Sequence, residues 1–126
     1  MSNSTYNLMK NALDATELRQ QMISSNLTNV NTPDYKVNKV DFEDQLKKAY
    51  DGTAMRKTNV RHIGANNPYE VKPIVTKRTD TAMKENGNNV DIDMEMTDEA
   101  ATTIQYNALV AQLNAKYAML HSAITR

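Results

Sequence analysis

Residues 9–30 read MKNALDATELRQQMISSNLTNV, and one mostly apolar set of positions recurs there in alternating steps of four and three. The set comprises Met9, Leu13, Thr16, Gln20, Ile23, Leu27 and Val30. This 3.5-residue repeat places the set on one stripe of a helix, as the seam of a coiled coil requires. We therefore predict a helix over residues 5–30, in which the polar Thr16 and Gln20 could set the register among several packed helices.

The same repeat returns near the other end of the chain and predicts one long helix from about Met94 to Ile124. Its positions are Tyr106, Val110, Leu113, Tyr117, Leu120 and Ile124. Beside them runs a second stripe of mostly small residues, namely Ile104, Ala108, Ala111, Ala115 and Ala118. We predict that the first stripe pairs antiparallel with the N-terminal helix and that the second contacts a neighbouring copy. A single broad core face in a monomeric bundle is the alternative.

The segment between the two helices is less regular. Residues 41–50 predict a short third helix with Asp41 as its N-cap, acids in its first turn and lysines in its last turn. Residues 51–90 hold all three glycines and two of the three prolines. Brief alternation at 69–72 and 74–76 is compatible with short strands or a hairpin, and an irregular loop is the alternative.

The predicted fold class is therefore mainly α, with an antiparallel coiled-coil-type pair of long terminal helices, a short third helix and a polar middle segment. Residues 1–36 form the first helix and its turn, 37–90 the middle segment, and 91–126 the last helix. Together, residues 1–126 would form one assembly domain.

Composition excludes several classes of function. Fifteen acids balance fifteen bases, which argues against nucleic acid or an anionic membrane as the main partner. The chain has no cysteine and is 40% apolar and 6% aromatic, so we expect a thin core and no disulfide framework. No segment has the length of an apolar membrane span, and the first residues do not resemble a cleaved signal peptide.

The chain also lacks a constellation that would support catalysis, and we expect no catalytic, metal-binding or cofactor-binding residues and no small-molecule substrate. The acids at 91, 93 and 95 have calcium-loop spacing, but Met96 and Thr102 stand where such a loop needs glycine and glutamate. Capping of the last helix explains these acids better. His62 and His121, the only histidines, lie in segments with no evident reason to meet.

Residues 24–36, SSNLTNVNTPDYK, resemble the signature at the end of the first helix in the bacterial flagellar rod and hook proteins. The matching residues are Asn26, Asn29, Val30, Asn31, Thr32, Pro33, Tyr35 and Lys36. The usual glycine before Tyr35 is Asp34 here, so either the turn is built differently or a positive φ is accepted with modest strain. The short chain and residues 86–96, NGNNVDIDMEM, are most similar to the proximal rod members of this flagellar basal-body rod family.

The resemblance implies a structural subunit that is exported through the flagellar type III apparatus without a cleaved signal. Its terminal helices would polymerise into a helical tube, the rod, which transmits torque and forms part of the export channel. The implied partners are copies of itself, other rod proteins, and the rod adaptor protein and export gate at the rod base. The alternatives are another short rod protein of the family, or a soluble helical-hairpin adaptor or chaperone.

Overall fold

A computed structural model of the chain describes residues 3–51, 67–79 and 84–125. The described helices are α1 (Asn3–Thr28), α2 (Glu43–Tyr50) and α3 (Ile92–Ile124), with a single 3-10 turn at Pro68–Glu70. The strands are β1 (Asn38–Asp41) and β2 (Ile74–Lys77). The prediction of a mainly helical chain with two long terminal helices is therefore confirmed, whereas His62 and most of residues 51–66 lie outside the described ranges.

Helices α1 and α3 pack against each other in antiparallel orientation. The rings of Tyr6 and Tyr117 lie 6.3 Å apart, near the start of α1 and the end of α3. At the opposite end of the pair, the Asn26 amide donates a hydrogen bond to Glu95 at 3.0 Å. The start of α1 therefore lies beside the end of α3, and the end of α1 beside the start of α3. Coiled-coil packing of the pair stays a prediction.

The two strands form a small antiparallel sheet between distant parts of the chain. Asn38 pairs with Lys77, and Asp41 pairs with Ile74. Of the two alternatives for the middle segment, a strand is observed at residues 74–76, whereas residues 69 and 70 lie in the 3-10 turn and residues 71 and 72 in neither element. The partner of β2 is also not an adjacent hairpin strand, because β1 precedes it by more than thirty residues.

The prediction that Asp41 caps α2 is wrong. Asp41 is the last residue of β1, and Phe42 occupies the N-cap position without a side-chain hydrogen bond to the helix. The carboxylate of Asp41 instead accepts a hydrogen bond from the Gln45 side chain at 2.9 Å. Burial of Phe42 accounts for this, since the helix starts at the residue that places the aromatic ring in the core.

The hydrophobic core is thin, as the composition predicts. Its central cluster lies where α2 and the 3-10 turn cover the N-terminal half of α1. The cluster consists of buried Ala15, Phe42, Ala49 and Val71, against which Leu8, Ala12 and Leu46 pack. Among the described residues, no helix combines the length and apolar character needed to cross a membrane.

The predicted seam residues differ in burial. Ile23 is buried, whereas Leu13, Leu27, Val110, Leu113 and Leu120 are half-buried. Tyr117 is exposed, and Ile124 keeps 81% of its surface accessible. The predicted second stripe, with Ala108, Ala111 and Ala115, is exposed in the single chain. The roles of seam and stripe in contacts between copies stay predictions.

Candidate functional site

Asn26, in the last turns of α1, lies at the centre of a buried hydrogen-bond network and is only 1% exposed. Its Nδ2 donates to the carbonyl of Asn38 and to the Glu95 carboxylate, both at 3.0 Å. Its Oδ1 accepts from the Asn38 amide at 3.0 Å and from the Tyr35 hydroxyl at 3.2 Å. Two donors and two acceptors are all that an asparagine amide has, so this side chain is fully satisfied. It therefore joins α1 to β1 and to the start of α3.

Two further asparagines complete the network from the segment that leads into α3. Asn88 donates through Nδ2 to the carbonyls of Asn29 and Thr32, at 2.9 and 2.7 Å. Asn89 accepts from the Val37 amide at 2.7 Å through Oδ1. Both side chains have no accessible surface. They add hydrogen bonds to main-chain groups of Asn29, Thr32 and Val37, and so tie the segment before α3 to the segment after α1.

We call this network the polar junction. It is defined by the side chains of Asn26, Tyr35, Asn38, Asn88, Asn89 and Glu95; the Asn38 side-chain amide belongs to it by donating to the Tyr35 hydroxyl at 3.0 Å.

Two main-chain turns, at Asp34 and at Gly87, contact each other beside the polar junction. Asp34 has a φ of 58° and Gly87 a φ of 80°. The Asp34 amide donates to the carbonyl of Asn86 at 2.9 Å. A Cβ built on Gly87 would lie 2.3 Å from Oδ1 of Asp34. Asp34 therefore adopts the positive φ that the family glycine at this position suggests. Because Asp34 is not glycine, this main-chain conformation is strained.

Two lysines tie these turns together. Lys84 Nζ donates to the carbonyl of Val30 at 2.6 Å, and Lys36 Nζ donates to the carbonyl of Gly87. Each ammonium group thereby pairs with a carbonyl from the opposite turn. The turn after α1 and the turn before α3 are thus held together from both sides.

Glu95 is the one carboxylate within the polar junction and is 6% exposed. Burial raises its pKa above the ordinary value of 4.5, although the hydrogen bond from Asn26 opposes the rise. The charge of Asp98 adds to it, whereas the cations Lys39 and Arg78 lower the pKa. Removal from water disfavours the charged form of a carboxylic acid, and the partners here compensate only in part.

The start of α3 is fixed by capping, as the sequence predicts. Asp91 adopts extended backbone angles at the N-cap, and its side chain accepts from the amides of Asp93 and Met94. These bonds satisfy two of the amides that a helix start leaves without partners. Among the residues that the structure describes, no group of acids and histidines is placed to hold a metal ion.

The structure thus brings together the two sequence motifs that carry the resemblance. Asn29, Tyr35 and Lys36 contact residues 87–89, and Asn26 binds Glu95. Val30 and Thr32 take part through their carbonyl groups. Asn31 and Pro33 are exposed. The arrangement supplies no reacting group and acts as a clamp that closes one end of the α1–α3 pair.

Sequence reasoning did not identify Asn38 or Arg78 as part of this site. Asn38 binds Asn26 through both of its main-chain polar groups, and Arg78 contributes its carbonyl to Asn89. Since main-chain groups make these bonds, residue type carries no signal for them.

Known proteins show similarity along nearly the whole chain. A profile of the family described as "Flagella basal body rod protein" matches residues 8–36. The flagellar basal body rod protein FlgB of Bacillus subtilis (strain 168) is 37% identical over 117 residues, covering 93% of this chain and 90% of that protein. FlgB of Borreliella burgdorferi is 34% identical over 113 residues, with 83% of each chain covered. FlgB of Proteus mirabilis is 28% identical over 120 residues, covering 90% and 88%.

The matched region includes the turn after α1 and the helix that precedes it. The relatives extend the similarity to most of the chain. Rod proteins of this family are structural components of the basal body and not enzymes. The chain therefore belongs to the FlgB family of flagellar basal body rod proteins.

Proposed function

We propose that this chain is a subunit of the proximal rod, which polymerises through α1 and α3 into a tube that transmits torque and forms part of the export channel. The observation that carries the proposal is the apolar surface that α3 leaves uncovered. Its partners would be copies of itself, other rod proteins, and the rod adaptor protein and export gate at the rod base. The subunit would reach that place by type III export without a cleaved signal.

Helix α3 has one face against α1 and another that none of the described residues covers. Glu95 and Thr102 are buried on the first face. Ile104 is 71% exposed on the other, in line with the exposed alanines at 108, 111 and 115. Small side chains at this spacing allow a neighbouring helix to approach closely, and a large exposed apolar side chain favours burial against it. Contacts between copies would therefore bury this face.

The two ends of the α1–α3 pair differ in how firmly they are tied. The polar junction closes one end with buried hydrogen bonds. At the other end, the tie between Tyr6 and Tyr117 is exposed. We therefore expect the C-terminal half of α3 to open easily in the isolated chain and to become protected on assembly, because local stability follows buried contacts.

A matched pair of substitutions tests the exposed stripe. Ala115→Asp places a charge on the stripe, whereas Asn114→Asp places the same charge one residue earlier, about 100° around the helix. Each variant is expressed in the source bacterium in place of the natural chain, and swimming and recovery in purified basal bodies are measured. We expect Ala115→Asp to abolish both and Asn114→Asp to leave both unchanged, at equal cellular levels of the two proteins.

The predicted seam is tested in the same assay by Leu113→Asp and Leu120→Asp, which should block rod assembly without reducing expression. Normal motility in both seam variants would contradict the assignment of these residues to the seam.

Hydrogen exchange of the purified monomer distinguishes a rod subunit from a soluble adaptor. Full protection of residues 104–124 in a monodisperse monomer that never polymerises with rod partners would favour the adaptor.

A further inference from the structure

We propose that Asn86 is a site of spontaneous deamidation, which the folded polar junction suppresses and which becomes reactive whenever the chain is unfolded. Asn86-Gly87 is the sole Asn-Gly pair in the 126-residue sequence. Asn86 is exposed in the fold, so neither water nor the release of ammonia is blocked by burial. The control over its reaction must therefore come from the conformation of the turn.

The reaction needs no partner other than water. The main-chain nitrogen of Gly87 attacks Cγ of Asn86, a new N–C bond closes a five-membered imide, and the Cγ–Nδ2 bond breaks. Ammonia leaves with the proton that the Gly87 nitrogen gives up, and water then opens the imide to aspartate or isoaspartate. Glycine favours this step because it has no side chain to hinder the attacking nitrogen or restrict the main chain.

The folded turn holds every group that this reaction would have to move. The Gly87 amide donates to the carbonyl of Lys84 at 3.0 Å, so the attacking nitrogen is engaged. The side-chain Oδ1 of Asn86 accepts from the Asn88 amide at 3.2 Å. The main-chain carbonyl of Asn86 accepts from the Asp34 amide at 2.9 Å. Closing the imide would require the turn to break the first two of these bonds and rotate.

The product would damage the site that prevents its formation. Isoaspartate at position 86 lengthens the main chain by one carbon atom, with only Gly87 between it and Asn88 and Asn89, whose side chains are completely buried. A longer chain cannot keep both amides on their partners in the turn after α1 and in β1. A chain that deamidates while unfolded would thus lose the ability to close the polar junction, whereas a folded chain would keep it.

The test compares the purified full-length chain in native buffer with the same chain in concentrated urea, at one temperature and neutral pH. Deamidation of the peptide that contains Asn86 is followed by mass spectrometry, and isoaspartate is counted by enzymatic methylation. Asn107 and Asn114, which precede alanines in α3, serve as internal references. The Asn86→Gln variant assigns the deamidation signal to residue 86. The signal should disappear in this variant, because the longer glutamine side chain closes the corresponding ring far more slowly.

We expect the reaction at Asn86 to be slower in the native chain by at least about tenfold, which corresponds to an opening free energy of about 1.4 kcal/mol. In native buffer, Asn88→Ala should accelerate it about fivefold, the factor for a loss of about 1 kcal/mol of hydrogen bonding. Chains aged in urea and refolded should show isoaspartate at Asn86 together with lost amide protection at Asp34.

Equal rates in native buffer and urea would overturn the proposal. A native-state rate in Asn88→Ala no higher than in the natural chain would also overturn it. If Asn88→Ala unfolds the whole chain, its rate should equal the rate in urea, which is again the expected direction.

Discussion

The side-chain amide of Asn26 donates a hydrogen bond to the buried carboxylate of Glu95, 3.0 Å away and 69 residues further along the chain. This bond joins the end of α1 directly to the first turn of α3. It links one residue of each motif by which the chain resembles the rod proteins.

Loss of the Asn26 side chain should strongly destabilise the fold. Asn26→Ala leaves Glu95 and the main-chain groups of Asn38 buried without their partners, and we expect a loss on the order of 3 kcal/mol in the free energy of unfolding. Urea unfolding of the purified chain measures it. Asn107→Ala, at an exposed position of α3, is the matched control and should change stability by less than about 0.5 kcal/mol. Similar values for the two variants would contradict the central role of Asn26.

Stability should increase as the pH falls from neutral toward 4.5. Because the pKa of Glu95 is raised in the fold, the folded chain binds a proton there that the unfolded chain does not. The free-energy cost of burying the charged Glu95 carboxylate is fully present above the pKa of Glu95 in the folded chain. This cost is relieved as the pH falls through that pKa. Burial is the largest single influence on the pKa of Glu43 and would raise it, but the hydrogen bonds and charge of Arg19, a main-chain hydrogen bond and a hydrogen bond with Gln105 together lower that pKa, so its opposite contribution lies below 4.5.

Glu95→Gln tests this dependence because it keeps an acceptor for Asn26 and removes the charge. We expect the variant to melt at a higher temperature than the natural chain at neutral pH and to lose the rise on acidification. Glu99→Gln removes one charge from an exposed position of the same helix and serves as the control. If acidification still stabilises Glu95→Gln as much as the natural chain, Glu95 is not the group responsible.

Gly87→Ala should cost about 1–2 kcal/mol, because an alanine at a φ of 80° is strained. The nearest atom to the added Cβ is Oδ1 of Asp34, which can rotate away. The cost should therefore persist when Asp34→Gly removes that side chain. Thermal or urea unfolding of both single variants and the double variant measures the coupling. A coupling energy above about 1 kcal/mol would mean that the contact, and not the main-chain angle, requires glycine.

Phe42 should be the most costly core residue to truncate. It is 4% exposed and lies in the cluster with Ala15 and Val71, so Phe42→Ala should lower the free energy of unfolding by about 3–5 kcal/mol. Tyr50→Ala, an exposed aromatic in the same region, should cost about 0.5 kcal/mol or less. Urea unfolding checks both. A small effect at Phe42 would show that the polar junction, and not this cluster, holds the middle segment.

Local sequence signals predicted the helical part of the fold well. The 3.5-residue repeats place long helices at both ends, and the turn formers around Pro33 mark the end of α1. Capping at Asp91 was also predictable, because a side chain that binds amides two and three residues ahead needs no distant partner. The prediction that Asp41 caps α2 was wrong because distant contacts decided the outcome. Burial of Phe42 and the pairing of Asp41 with β2 overrode a local capping preference.

The candidate site was predictable only in part. Its two motifs stand out in the sequence, but nothing in either indicates that Asn26 binds Glu95 or that Asn88 reaches the turn at Asn29. A polar residue within a helical repeat has the pattern of a solvent-facing position. Only the packing of α1 against α3 turns it inward and supplies its partners.

By itself, the sequence determined the elements of this protein whose energies are local: two long terminal helices, the turn after the first of them and the capped start of α3. The tertiary structure alone decided the antiparallel pairing of β1 with β2 and the burial of three asparagines and one glutamate. Periodicity and capping act over one or two helical turns, whereas a buried amide becomes favourable only when distant chain segments bring all of its hydrogen-bond partners together.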